Sequence, residues 1–224
     1  IGLDASRTRQ FELGVKSRTD WWQGSAAWFR ARTTGEVVIE ASVGGRNSFT
    51  NAPRTERDGL ELSGAMVLSK QVTVNAMYTW IDARVGEDYC TFRTAGPRVC
   101  TLIRAGNYIP GVPRESAFAE LVWRAPDKSW EAAVEGRVAG AMFAADTNVA
   151  DSARATGYAI ANARVGLTQR SGSLTFTEFL RVDNMFDRAY VGSVIVNQSA
   201  ATPQYYESAP GRGYTIGVKV TGQF

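Results

Sequence analysis

The chain has 224 residues, a formal net charge of +3 and no histidine, so it can form one sizeable domain but cannot carry Ser-His-Asp or Cys-His catalysis or a His-based metal site. Its basic residues are scattered singly instead of forming a run or stripe, which argues against nucleic acid as a partner. No window supplies the roughly 18 uncharged apolar residues that a transmembrane helix needs, which leaves strands or surface binding as routes to a membrane. Six tryptophans, eight tyrosines and abundant glycine suit strands, turns and interfacial aromatic girdles.

Period-2 alternation predicts the elements in chain order. Phe11, Leu13 and Val15 oppose Gln10, Glu12 and Lys16 in the first strand. A second, over residues 21–31, carries aromatics on both faces. Leu60, Leu62, Met66 and Leu68 oppose Glu61, Ser63 and Ser69; Val72, Val74, Ala76, Tyr78 and Trp80 oppose Thr73, Asn75 and Thr79. Ala117, Ala119, Leu121 and Trp123 then oppose Ser116, Glu120 and Arg124, and Trp130, Ala132, Val134 and Val138 oppose Glu131, Glu135 and Arg137. Alanines 159, 161 and 163 with Val165 and Leu167 make the seventh strand. The eighth, over residues 174–182, has Glu178 in phase with Leu174, Phe176 and Leu180, which predicts a bulge or a solvent-exposed height. Tyr214, Ile216, Val218, Val220 and Phe224 complete nine strands.

A soluble sandwich also alternates, so the connections have to decide the environment. They run short then long throughout: 17–20 then 32–57, 70–71 then 83–113, 126–129 then 141–155, 169–172 then 196–211. Tight turns on one side and long loops on the other is the layout of an outer-membrane β-barrel, with the long loops outside the cell. The expected fold is therefore all-β, a transmembrane antiparallel β-barrel. Counting back from the last strand puts the start of the first strand outside the cell, and bacterial single-chain barrels use even strand numbers. The expectation is that residues 1–224 are a C-terminal portion of a barrel, with upstream strands absent.

Four strings carry a resemblance: Arg9-Gln10-Phe11-Glu12-Leu13-Gly14-Val15-Lys16, Arg54-Thr55-Glu56-Arg57-Asp58-Gly59-Leu60-Glu61-Leu62, Arg181-Val182-Asp183-Asn184-Met185-Phe186-Asp187-Arg188-Ala189-Tyr190, and the terminal Phe224. In this order they resemble the C-terminal half of a TonB-dependent outer-membrane receptor, the family that imports siderophores, vitamin B12 and other scarce chelates. The stretches 190–197 and 205–212 resemble a subgroup that includes siderophore receptors and a receptor for pyrroloquinoline quinone. The resemblance implies a barrel of about 22 strands, an N-terminal plug, and a short box gripped by the TonB complex, neither of the last two being within this chain. It also implies outer-membrane lipid around the strands, and the barrel-assembly machinery as a partner that reads Phe224.

Cys90 and Cys100 share one long loop on the oxidising side of the membrane, where a disulfide is expected; a dithiolate metal site is the alternative, and two cysteines without histidine or a CxxC spacing make a poor one. Arg46, Tyr89, Arg93, Arg104, Tyr205, Tyr206 and Arg212 fall in the long loops. Guanidinium forks bind carboxylates and Tyr faces stack, so these residues are candidates for holding an anionic, aromatic-rich ligand, with interfacial girdle or ordinary loop surface as the plainer reading. The phase of Glu131, Glu135 and Arg137 makes them lumen-facing wall residues rather than a catalytic pair. No catalytic residue, metal site or cofactor is expected. The leading function is TonB-linked import of a siderophore or other metal chelate; a receptor for a cofactor such as pyrroloquinoline quinone is the alternative within the family, and a passive diffusion porin the alternative outside it.

Overall fold

The computed structural model describes residues 2–92, 99–148, 154–199 and 205–222. The wall of the molecule is one antiparallel sheet of nine strands: β1 (Arg7–Arg18), β2 (Trp22–Val43), β3 (Arg46–Val67), β4 (Val72–Val85), β7 (Glu115–Arg124), β8 (Trp130–Ala139), β11 (Tyr158–Ser171), β12 (Leu174–Asp183) and β15 (Gly213–Gly222). They are hydrogen-bonded in that order and the sheet is not closed, so β1 and β15 are its edges. Every predicted strand is present. Six short strands pair within the long connections: β5 (Tyr89–Thr91) with β6 (Thr101–Ile103), β9 (Met142–Phe143) with β10 (Arg154–Ala155), and β13 (Val191–Val194) with β14 (Tyr206–Ser208).

The apolar residues of each strand fall in cross-strand rows on one face. Val72, Trp123, Ala132, Val165, Leu180 and Ile216 are successive partners across six strands. This face is largely uncovered by protein, Leu13 being 68% and Ile216 80% exposed, as befits a face whose solvent is lipid. The opposite, lumenal face is polar and bonds to itself across strands, through Thr8 with Thr33 at 2.9 Å and Ser25 with Ser63 at 2.8 Å. Aromatics on both faces of β2 have a local reason. Trp22 and Trp28 point outward, while Phe29 points into the lumen over Gly59 of β3, where a Cβ would collide with its ring; Phe179 covers Gly217 in the same way. An aromatic lying over a cross-strand glycine fills the gap in the pleat.

The tight turns are set by short polar side chains. The Thr19 hydroxyl accepts from the Trp22 amide (3.1 Å), the Ser69 hydroxyl from Val72 (3.1 Å) and Asp127 from Ser129 (3.1 Å), each an Asx- or ST-type closure. Two expectations are corrected. Residues 32–57 are not a loop: β2 and β3 continue as strands of 22 residues each and meet at Gly44 and Gly45, both in the left-handed region at φ 55° and 77°. Polar residues interrupt the alternation there, but backbone pairing does not require a lipid-facing side chain. Nor is there a bulge at Glu178: β12 pairs with both neighbours in unbroken register. Glu178 instead lies level with Leu167 and Trp130, close to the tight turns, and accepts from Gln169 at 3.1 Å.

A single sheet buries little, and the densest packing sits elsewhere. Ala52, Val85, Ile103, Ala144, Ala145 and Asn197 are buried, and all lie on the extended β2–β3 hairpin, at the far end of β4 or in the long connections. Most of the buried apolar side chains among the described residues therefore lie in the rim above the wall.

Candidate functional site

Gly35 is what first sets the rim apart from the wall. Below it, Arg32 on β2 meets Glu56 (3.7 Å), an even-numbered, outward position of β3. Gly35 adopts φ 63°, a conformation that costs glycine little, and beyond it Glu36 bonds Thr55 and Arg57, which are odd-numbered and inward. The face of the strand has flipped. The Arg57 fork spans both Glu36 oxygens at 2.6 and 2.9 Å. Burial pushes the Glu36 carboxyl up, but the Arg57 and Thr55 hydrogen bonds outweigh it and hold the carboxyl below the ordinary value.

Above this pair the long connections lock together. Asn197, 1% exposed, donates from Nδ2 to the Ile39 carbonyl (2.6 Å) and to Asp146 Oδ2 (3.0 Å), and accepts at Oδ1 from the Asp146 amide (3.0 Å). Its carbonyl accepts from the Ser42 amide (3.0 Å), and its own amide donates to the Ala144 carbonyl (2.8 Å). One side chain thus joins the β2–β3 hairpin, the β8–β11 connection and the β12–β15 connection. The β4–β7 connection is tied in by Asn107, whose Nδ2 donates to the Asp146 carbonyl (2.8 Å), and by Asn148, which bonds both backbone groups of Tyr108. Between these segments lies a cavity of about 190 Å³, lined by Glu36, Thr55, Tyr89, Ile109, Asp146 and Asn197 among others. It falls below the roughly 300 Å³ at which drug-sized ligand pockets begin.

On the flank of the rim is a ladder of rings and guanidinium groups. Arg84 and Arg114 lie 4.2 and 5.3 Å from the Tyr108 ring centre, Tyr108 stacks on Phe143 at 5.7 Å, and Arg154 lies over Phe143 at 5.7 Å. The Tyr206 hydroxyl donates to the Arg154 carbonyl at 3.2 Å. Tyr108, Phe143, Arg84, Arg114 and Arg154 escaped sequence reasoning because nothing local marks them; only the docking of two separate connections brings them together.

The seven candidate loop residues go to several places. Tyr89 lines the cavity, Arg46 is exposed beside the Gly44-Gly45 turn, and Arg104 is exposed just after β6. Tyr205 and Tyr206 are neighbours with ring centres 6.4 Å apart, Tyr206 at the end of the ladder. The Arg212 amide donates to Asp187 at 2.8 Å. Arg93 lies outside the described residues, as does Phe224. Cys90 and Cys100 are bonded to each other across the β5–β6 hairpin.

Lower down, the lumenal face of β7–β12 carries a charge network. Glu120 and Glu135 are direct cross-strand partners, as are Arg164 and Arg181, and each like-charged pair would be destabilising alone. The ion pairs run diagonally instead. Arg164 reaches Glu120 (2.5 Å), Glu131 (3.2 Å) and Glu135 (3.3 Å), while Arg181 places two nitrogens on Glu135 at 2.7 and 2.8 Å and a third on Asp183 at 2.9 Å. Asn162 donates to Glu135 and accepts from the Asn184 amide. Glu131 and Glu135 are thus tied up by arginines, and Arg137 lies over the Phe118 ring. Near the tight turns the lumenal side of β1–β4 is open, with a hollow of about 500 Å³ lined by Lys16, Gln23, Ser25, Ser63 and Asn75 among others.

The sequence matches the family described as TonB dependent receptor-like, beta-barrel, over residues 1–185. The chain belongs to that family. Among solved structures it is similar to the siderophore receptor PiuA from Acinetobacter baumannii, with a TM-score of 0.70, 18% identity and 95% of this chain covering 28% of that one. It is also similar to the ferric citrate transporter FecA, with a TM-score of 0.74, 17% identity and coverages of 96% and 31%. For the copper transporter OprC the values are 0.69, 18%, 98% and 32%. At these identities the likeness is one of fold. The chain spans under a third of the length of the receptors that it matches, and the nine-stranded sheet is that length of TonB-dependent receptor wall.

Proposed function

We propose that this chain is part of the wall and extracellular rim of an energised, TonB-linked importer in the outer membrane of a Gram-negative bacterium, and that its cargo is a siderophore or another metal chelate. The observation that carries this reading is the family match over residues 1–185; a siderophore receptor, a ferric citrate transporter and a copper transporter share the fold. The physical case for an energised step is simple. A scarce ligand held at nanomolar affinity is stabilised by about 12 kcal/mol and leaves slowly, so release into the periplasm has to be driven by outside work.

Within that reading the rim is the part of this chain that meets the ligand first. Tyr89, Tyr205, Tyr206, Arg46, Arg104 and Arg212 remain its candidates, with Arg93 outside the described residues, and the ladder of Arg84, Arg114, Tyr108, Phe143 and Arg154 joins them. Stacked rings flanked by guanidinium groups suit a flat anionic chelate. The 190 Å³ cavity is too small for a whole siderophore, which favours the rim surface over its interior as the point of first contact.

The test is growth on a single limiting ferric chelate, with the receptor gene deleted and restored, in cells with and without a collapsed proton-motive force. Uptake should need both. Uptake that survives collapse of the force would favour a diffusion porin, and force-dependent uptake of pyrroloquinoline quinone but of no metal chelate would move the assignment within the family.

A further inference from the structure

We infer, on the import reading above, that the β2–β3 hairpin and the other three long connections are one fixed roof over this side of the lumen, which stays shut while cargo enters. Strand order sets the hairpin and the β12–β15 connection far apart. Between β3 and β12 stand β4, β7, β8 and β11, so the two segments leave the wall about 24 Å apart at roughly 4.8 Å per strand spacing. They nevertheless pair directly. The Ser42 amide donates to the Asn197 carbonyl (3.0 Å), the Ser199 amide donates to the Ser42 carbonyl (2.9 Å), and Ser42 and Gln198 form a parallel bridge. The side on which they meet follows from phase. Thr55 and Val85 are cross-strand partners on the lumenal face, and both line the same cavity as Glu36, Ile39, Ile109 and Asn197. The connections therefore fold inward, over the lumen rather than out over the lipid.

Among the described residues the bonds between these segments form a closed circuit. The hairpin holds the β12–β15 connection at Ser42. That connection holds the β8–β11 connection, with the Asn197 amide on the Ala144 carbonyl (2.8 Å) and the Tyr206 hydroxyl on the Arg154 carbonyl (3.2 Å). The β8–β11 connection holds the β4–β7 connection, whose Gly111 amide donates to the Phe143 carbonyl (2.8 Å). The Phe92 amide then returns to the hairpin at Glu40 Oε1 (2.9 Å). Two further bonds fasten the circuit to the wall, from the Gly86 amide to the Arg54 carbonyl (2.8 Å) and from the Ile109 amide to the Ala83 carbonyl (3.0 Å). A segment held on both sides cannot swing as a lid without breaking both links. For the hairpin those links include the bonds at the Ser42 amide, the Ser42 carbonyl, the Ile39 carbonyl and the Glu40 carboxylate. At a net of about 1 kcal/mol per hydrogen bond and about 1.4 kcal/mol per tenfold, these four make a separate excursion of the hairpin roughly a thousandfold rarer.

The experiment uses the full receptor containing this chain, in living cells, with ferric citrate or a ferric catecholate as the probe chelate and with the proton-motive force intact or collapsed. Ala52→Cys and Ala144→Cys place a thiol at positions that are 0% exposed, inside the roof; Asn47→Cys places one on the exposed hairpin tip. A membrane-impermeant maleimide should label the tip at once and both buried positions roughly a thousandfold more slowly, in every condition. Labelling of either buried position that approaches the rate of the tip when a chelate is added or the cells are energised would overturn the fixed roof. Chelate uptake by the same cells is read separately, so a failure of the import reading shows as uptake that ignores the force, and a failure of the roof shows as labelling. Should a cysteine variant fail to assemble, hydrogen exchange at the Ser42 and Ser199 amides of the unsubstituted receptor gives the answer: equally slow exchange with and without chelate is expected, and exchange quickened by either chelate would overturn it.

Discussion

Replacing Asn197 by glycine should loosen the rim without loosening the barrel wall. Glycine keeps the φ of 53° that Asn197 adopts, so the change removes side-chain hydrogen bonds and adds no backbone strain. Among the described residues the bonds lost include those to the Ile39 carbonyl, to the Asp146 carboxylate and from the Asp146 amide. Each buried polar group left without a partner costs about 1–3 kcal/mol, but the neighbouring cavity of about 190 Å³ can admit water to the vacated site. Taking the lower end for each gives roughly 3 kcal/mol, which corresponds to an opening equilibrium about a hundredfold more favourable. Hydrogen exchange read by mass spectrometry on the intact receptor would show this as faster exchange at the amides of Ser42, Asp146, Asn197 and Ser199, which are held by this junction. Exchange in β7, β8 and β11 and the melting temperature of the barrel should stay unchanged. Unaltered protection of those four amides, or a uniform loss over wall and rim alike, would refute the view of Asn197 as the junction of a separately packed rim.

Three further outcomes are expected. Arg181→Gln withdraws two hydrogen bonds from Glu135, whose side chain is 6% exposed, and should destabilise the barrel by about 3 kcal/mol in thermal unfolding; adding Glu135→Gln should recover part of the loss by removing the stranded charge. Replacing Cys90 and Cys100 together by serine reopens a link spanning ten residues, should cost up to about 3 kcal/mol locally, and should appear as proteolysis in the β5–β6 hairpin while barrel melting is unaffected. Glu36 has a folded-state pKa held below its unfolded value, so its pairing stabilises the rim at pH above the unfolded value of about 4.3, and that contribution is lost as the pH falls through the lower folded value. Rim exchange should therefore rise only in acid, and Glu36→Gln should flatten that part of the pH dependence.

Period-2 alternation is a local property, and a strand between lipid and a polar lumen has to obey it residue by residue. All nine wall strands, the lipid-facing face, the lumenal position of Glu131 and Glu135 and the side bearing long connections were therefore legible from the sequence. Where lipid no longer constrains the outward face, the reading broke down: residues 32–57 look like a loop because their side chains follow no simple alternation, yet their backbones pair as far as Gly44-Gly45. The rim was not legible at all. Its central bond joins Asn197 to Ile39 across 158 positions, and its ladder needs Tyr108 and Phe143 delivered by different connections. No local period encodes such a meeting. The flip at Gly35, the junction at Asn197 and the stacking of Tyr108 on Phe143 arise only when four connections compete for the same space above the barrel, and tertiary packing alone decides that.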